Sequence, residues 1–402
     1  MFSFLSSNKE EVAILIDIGN GTTTGALVVF EKDQKPRFIY IAKKFFATTE
    51  KLDAVKLEME MNSLLEEMLS DLIKRGSEHK YWKSKDKEIS RILISFSSPW
   101  FLSKTKNIHL DSEKEFVITD GFLDSIVQKE EFILKNELKN EDSGEPFEII
   151  EKSIVHSKIN GYTLDSTLNK STKSFDASLY MSVVSSVFIN KIYNTLYKYT
   201  HIPQDRILIN TFPLISFSVI RDLFTKESSF ILLDVTGEVT DITLVKGDII
   251  TETVTIPSGR NFVIRQIAKT FNVSTEIAGS TLRLYLSKKL EDTMMSKMLD
   301  AIVSIEKEWS IYLENALTEL SPEMNLPNSI YLTADTDVAD LYIDFLNMPK
   351  NDTTNVFRKN VKINHINLEK TATFYQNDSG FLLDEFIVLI ALFYNKILKA
   401  NK

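Results

Sequence analysis

The 402-residue chain contains no cysteine, which excludes disulfides and thiolate metal sites and leaves the redox compartment unconstrained. Histidine is scarce as well. The five present, His79, His109, His156, His201 and His365, show no metal-ligand spacing and read as surface or structural residues. Basic residues are outnumbered, and the net charge of −9 argues against a nucleic-acid groove or a broad basic membrane face. No apolar run approaches the roughly 20 residues that a bilayer-spanning helix needs. The longest, Phe386 to Tyr394, reads as a buried helix. The opening MFSFLSSNKEE lacks the basic start and apolar length of a secretion signal. A cytoplasmic protein without direct membrane insertion is therefore expected, with Phe2, Phe4 and Leu5 packed locally or forming a short sticky tail.

What the sequence does contain is organised around Ile14 to Val29, ILIDIGNGTTTGALVV. Two apolar runs flank an aspartate, a Gly-Asn-Gly turn and a threonine cluster, the pattern of a hairpin that presents backbone N–H groups. Ile231 to Val245, ILLDVTGEVTDITLV, repeats the design 217 residues later (234 − 17), matching Asp17 to Asp234, Thr23 to Thr240 and Leu27 to Leu244. Such a self-match is read as duplication, and two similar halves imply a cleft between them. Glycines let a loop approach a phosphate closely, and successive N–H groups make an anion-binding concavity. An aspartate at the strand end can hold a hydrated Mg²⁺. Taken alone, Asn20-Gly21 is an ordinary two-residue hairpin turn; the repeated aspartate favours a phosphate-clasping ancestry.

Along the chain, strands are expected at Arg37 to Lys43, at RILISFSS before Pro99, at Arg206 to Asn210, at Thr253 to Ile256 and at SIYLTA (Ser329 to Ala334). Helices are expected over Asp53 to Lys74, with Leu57, Met61, Leu64, Met68 and Leu72 on one stripe, and over Ile189 to Tyr199, Pro213 to Phe224, Gly259 to Thr270, Asp292 to Leu320 and Leu383 to Leu398. Ser77 to Glu88 reads as a charged linker. Between about Phe101 and Phe175 the character changes, with short strands at NIHL and EFVIT, a helix over Asp120 to Leu138 and two strands broken at Asn160-Gly161. That module reads as an α+β insert, after which Ser178 to Phe188 resumes the first half as a strand able to pair with the one at Arg91. An insert in a fold that needs none is expected to be the partner-binding or self-association module.

With these parts placed, the chain resembles the actin-like ATPase superfamily, and within it the bacterial FtsA cell-division and PilM pilus-assembly proteins. The resemblance covers nearly the whole length. DIGNGTTTG at Asp17 to Gly25 is similar to the family's first phosphate motif, and IPSGRNFVIRQIAKTF from Ile256 to its strand and helix after the second. The insert, with Asn160-Gly161-Tyr162, falls where FtsA and PilM carry their SHS2 (1C) subdomain. The fold implied is α/β, an actin-like (ribonuclease H-like) two-half fold with an inserted α+β SHS2 subdomain. Its implied division is 1–100 (1A), 101–177 (1C), 178–227 (1A), 228–258 (2A), 259–326 (a helical 2B), 327–380 (2A) and 381–402, a C-terminal helix on the first half. The implied cofactor is ATP with Mg. The nucleotide-binding residues would be Asp17, Gly19, Asn20, Gly21, Thr22, Thr23, Asp234, Gly237, Thr240 and Thr333, with Asp17 and Asp234 holding the metal through water.

Departures from the family pattern shape the functional expectation. Where relatives have Asp-x-Gly-Gly-Gly-Thr-Thr-Asp, Asp234 to Asp241 keeps one loop glycine, Gly237, and places Glu238 where it would repel a γ-phosphate. Where the adenosine motif reads Leu-Thr-Gly-Gly-Gly-Ser, Leu332 to Asp337 has no glycine, and Ala334, Asp335 and Thr336 would fill space left for the nucleoside. Gly279 and Leu282 stand where a Glu and a Lys reach ribose and base, and no amphipathic membrane helix follows the last core helix. No catalytic acid, base or nucleophile is identified. The expectation is a cytoplasmic scaffold or adaptor of a division or type IV pilus machine with weak or absent nucleotide binding. It would be held at the inner membrane face by a short tail of a membrane protein, or would dock the tail of a tubulin-like protein. The competing expectation is an active ATPase or small-molecule kinase of the same fold.

Overall fold

The computed structural model describes residues 10–83, 88–140, 146–164, 166–224, 226–323, 325–347 and 361–400. Phe2, Phe4 and Leu5 lie outside the described residues, as do residues 84–87 of the expected linker. The first half begins with β1 (Glu11–Ile18), β2 (Thr22–Phe30), β3 (Arg37–Phe45), α1 (Ala54–Gly76), the short α2 (Lys80–Lys83) and β4 (Arg91–Phe96). β5 (Leu102–Val117), α3 (Asp120–Asn140), β6 (Phe147–Ile159), β7 (Tyr162–Thr163) and β8 (Ser171–Ser185) form a separate unit. α4 (Ser186–Thr200), β9 (Ile207–Thr211) and α5 (Phe212–Leu223) follow. The second half runs through β10 (Phe230–Val235), β11 (Thr240–Lys246), β12 (Ile249–Ile256), α6 (Arg260–Phe271), α7 (Thr275–Leu286), α8 (Asp292–Leu320), β13 (Ser329–Ala334), α9 (Ala339–Asn347) and β14 (Lys362–His365). The chain ends with α10 (Leu368–Thr371), β15 (Gln376–Asn377) and α11 (Glu385–Ala400).

The two main sheets share a topology. One has the order β15-β3-β2-β1-β4-β9 and the other β12-β11-β10-β13-β14, each with an antiparallel meander continued by parallel strands. The duplication extends to single residues, since Asp17 lies beside Ser95 on β4 as Asp234 lies beside Thr333 on β13.

Side-chain alternation explains the layering. Ala13 and Leu15 of β1 and Phe230 and Leu232 of β10 face a shared core between the sheets, which holds α5 and α11. Ile14, Ile16 and Ile18 face the opposite way, onto α1 and α4, while Ile231, Leu233 and Val235 face α6, α8 and α9. The last helix lies against β1, β2 and α5 and also reaches β13 of the second sheet, and its segment Phe386 to Tyr394 is apolar all round and buried on every side. α1 starts where Asp53 accepts hydrogen bonds from the N–H groups of Val55 and Lys56, both 3.1 Å away.

The insert differs from its sequence reading in two respects. NIHL and the first three residues of EFVIT are parts of the single strand β5, joined across an irregularity between Asp111 and Phe116. Of the strand expected at Ser178 to Phe188, the part up to Ser185 belongs to β8 and the last three residues open α4; β8 pairs with β5 and β6 in a sheet of order β5-β8-β6-β7 and not with β4. β4 is flanked by β1 and β9 instead. Continuous alternation through Phe175, Ala177, Leu179, Met181 and Val183, all buried toward α3, holds this strand together across the expected boundary.

A buried carboxylate joins the insert to the first half. Glu151 on β6 accepts hydrogen bonds from Asn210 Nδ2 at 2.5 Å, Thr211 Oγ1 at 2.8 Å and Ser182 Oγ at 3.2 Å. Among the described residues no cation accompanies it, and burial pushes its pKa up to about 7 despite those donors. A folded-state pKa above the unfolded value near 4.5 means that folding takes up a proton. Stability from this group is complete below about pH 4.5 and is lost as the pH rises toward 7. Glu151→Gln should therefore be more stable than wild type at pH 8, by up to about 3 kcal/mol, and show no gain at pH 4.5. Urea unfolding at the two pH values checks this; equal stability at pH 8 contradicts it.

Candidate functional site

The two phosphate-type hairpins meet tip to tip. Each turn closes with an equivalent backbone bond, Gly19 N–H to Thr22 O at 3.1 Å and Thr236 N–H to Val239 O at 3.0 Å. A Cβ built on Gly237 would lie 2.3 Å from the Cα of Gly21, and one on Gly21 would lie 2.6 Å from the Cα of Gly237. Glycine is needed at both positions because backbone packs directly on backbone, with no gap between the loops for a phosphate chain.

Asn20 fastens the contact. Its fully buried carboxamide donates to Ser98 O at 2.5 Å and Thr236 Oγ1 at 2.8 Å and accepts from the N–H of Glu238 at 2.6 Å. The second loop thus spends that N–H on an oxygen supplied by the first. Its carbonyls are committed too, since Arg260 N–H donates to Thr236 O at 2.9 Å and Asn261 N–H to Gly237 O at 2.7 Å. The N-terminus of α6, where a helix commonly receives an anion, is filled by the loop itself. The cavity bordered by Asp17, Asn20, Gly21, Thr236, Asp335 and Phe386 leaves about 10 Å³ for the centre of a water molecule, room for one water.

Further contacts flank the tips. On one side Ser98 N–H donates to Asp241 Oδ2 at 3.4 Å, and the Ser98 and Thr255 hydroxyls lie 3.2 Å apart. On the other, Thr48 Oγ1 donates to Asn261 Oδ1 at 2.9 Å and Thr48 O accepts from Thr275 Oγ1 at 2.8 Å. Glu238 was expected to face the cleft as a repelling charge. The structure turns it away, buried against Asn261 Nδ2 and Arg265 Nη2, both at 2.7 Å.

The acids beneath the loops are under-compensated. Burial first, then Asp384 and Asp335, raises the pKa of Asp17 well above the ordinary carboxylate range, against the nearby Lys43. Asp234 is raised likewise by burial and by Asp241, although Thr333 Oγ1 donates to it at 2.7 Å. Asp17 Oδ1 and Asp234 Oδ2 are buried without a hydrogen-bond partner among the described residues. The positive charge comes from Lys43, whose Nζ lies 3.0 Å from Asp384 and 3.5 Å from Asp335. Burial lowers its pKa, and the two carboxylates more than reverse that.

ATP with Mg does not fit this arrangement. Ligand pockets occupy about 300 Å³ or more, and the loops that would hold the triphosphate touch. Among the described residues no group of three Asp, Glu or His side chains is placed to hold a metal ion.

Of the residues expected here, Asp17, Gly19, Asn20, Gly21, Thr22 and Gly237 border the common cavity. Thr23 does not border it, and its buried hydroxyl has no partner among the described residues; Thr240 Oγ1 donates to Ser258 O at 2.8 Å, and Thr333 serves Asp234. Lys43, Thr48, Ser98, Thr236 and Asp384 escaped sequence reasoning. The one signal for them was Lys43-Lys44, which breaks an otherwise apolar strand.

Two substitutions test the closure. Asn20→Ala strands a buried N–H and should cost about 2–4 kcal/mol. Gly237→Ala drives a methyl into Gly21 and should cost about 1–3 kcal/mol. Chemical denaturation is the readout, and losses below about 0.5 kcal/mol, the range of ordinary surface substitutions, would show that the loops part freely.

The sequence matches no family model and no curated protein. Solved structures do resemble the chain. A chain of the PilM-PilN type IV pilus biogenesis complex matches with a TM-score of 0.59 at 14% identity, over 96% of this chain and 98% of that one. The ethanolamine utilization protein EutJ from Carboxydothermus hydrogenoformans matches with a TM-score of 0.44 at 12% identity, over 96% and 91%. A Bacteroides thetaiotaomicron protein with an actin-like ATPase fold and unknown function gives 0.42 at 10% identity, over 96% of each. Identities this low speak to architecture alone, and the architecture is the α/β two-half fold of the actin-like ATPases.

Proposed function

We propose that the chain is an actin-like adaptor that holds a protein partner of a membrane-associated machine, in type IV pilus assembly or cell division, and does so without using nucleotide. The carrying observation is the contact of Gly21 with Gly237, fastened by Asn20. A cleft closed by its own loops supports a role other than ATPase or kinase chemistry. Likeness over nearly the full length to a chain of a pilus biogenesis complex supports the choice of machine. The unit 101–177, read as the SHS2-like insert, and the further division of the two halves belong to this proposal. So do recruitment through a short tail of a membrane or tubulin-like protein, self-association through the insert, and a cytoplasmic location at the inner membrane face. Among the described residues no helix is long and apolar enough to cross a membrane.

Two measurements test the proposal. Tagged full-length chain incubated with detergent-solubilised membranes should recover a membrane protein with a short cytoplasmic segment. Millimolar Mg-ATP should leave the melting temperature unchanged, whereas a ligand at 100 times its Kd would add about 2.7 kcal/mol. Recovery of no partner together with a large upward shift, lost in Asp17→Ala, would favour the enzyme.

A further inference from the structure

A groove remote from the cleft carries recognition chemistry that the fold does not use. It lies where the β2–β3 turn, the end of α5 and the last turns of α11 converge, has a volume of about 300 Å³ and includes no residue of the insert. Its floor is apolar, formed by Val219, Leu223, Phe374 and Leu392, and Leu223 is 41% exposed. At the rim stand Lys35 and Lys399, both exposed, neither with an acidic partner among the described residues. The carboxamides of Gln34 and Asn395 also line it without hydrogen-bond partners among the described residues. Lys396 is excluded from this count, being committed to Asp222 and to Ser218 Oγ.

We propose that this groove binds a short acidic, apolar segment of a partner protein, seating one or two large side chains on the floor, their carboxylates on Lys35 and Lys399, and their main chain on Gln34 and Asn395. Each free group has a complement in such a segment. A carboxamide both donates and accepts, matching a peptide backbone, and an apolar floor with convergent polar groups is the usual make-up of a recognition pocket. Free lysines on a chain of net charge −9 select acidic over basic sequences. The concave shape favours an inserted peptide over an anionic lipid surface, which a convex basic face would serve.

The inference rests on the adaptor reading, and one double variant separates the two. Random dodecapeptides displayed on phage and panned against the full chain are the probe. Enriched sequences should carry large apolar residues next to Asp or Glu. As synthetic peptides they should bind Lys35→Glu/Lys399→Glu at least about tenfold more weakly and regain affinity for it when their acids are changed to Lys. Both lysines are exposed, so the variant should melt as wild type does. No enrichment, enrichment of basic sequences, or equal binding by the variant overturns the inference. Binding of phosphatidylglycerol vesicles to wild type, lost in the variant, overturns it in favour of a membrane contact. If wild type and variant capture the same membrane partner equally well, the groove assignment fails and the adaptor stands; if wild type captures none, the adaptor reading fails whatever the peptides show.

Discussion

A single buried carboxamide sets the relation of the two halves. Asn20 spends a donor on each half, Ser98 O on one and Thr236 Oγ1 on the other, and accepts from Glu238 N–H across the boundary. Its oxygen does for the second loop what a phosphate oxygen does for a nucleotide-binding loop, which is to satisfy a backbone donor that points into the cleft. A permanently attached acceptor has no dissociation constant and loses no translational freedom on binding. The neighbouring contacts, Thr48 with Asn261 and Thr275 and Ser98 with Asp241, have meaning only if the tips stay together. All of them align because Gly21 and Gly237 have no side chains.

The charges follow the same logic. Asp17, Asp234 and Asp335 are buried carboxyls whose pKa values are raised chiefly by desolvation, and Glu385 is raised to about 7 for the same reason. Lys43 supplies a fixed charge next to Asp335 and Asp384. Folding takes up protons at these sites, so their contribution to stability declines as the pH rises above the carboxylate range. A core that keeps uncompensated acids carries a cost. Here it falls where the two central strands, β1 and β10, end in aspartate at equivalent places.

Much of the architecture was legible from periodicity. The apolar runs ILIDI and ILLDV located the central strands, the repeated aspartate pointed to two similar halves, and the apolar stripe from Met295 to Leu320 located α8. The insert was harder. An irregularity in β5 disguised one strand as two, and β8 carries its apolar alternation through Ser178 without any break that sequence would mark. The closure of the cleft was not legible, because Asn20 and Glu238 look the same in sequence whether they face a phosphate or each other. Glu238 was misread because its partner Arg265 lies a helix away in α6. Lys43 was missed for a similar reason, since its partners come from the end of β13 and the start of α11.

The measurement closest to the central claim is the distance between the halves in solution. The chain has no cysteine, so spin labels at Lys56→Cys on α1 and Ser280→Cys on α7, both exposed positions, need no background substitution. Double electron–electron resonance should give one narrow distance, identical with and without millimolar Mg-ATP. A broad distribution that narrows or shifts when Mg-ATP is added would contradict the account, because it would mean that the halves part and that nucleotide, not Asn20, brings them together.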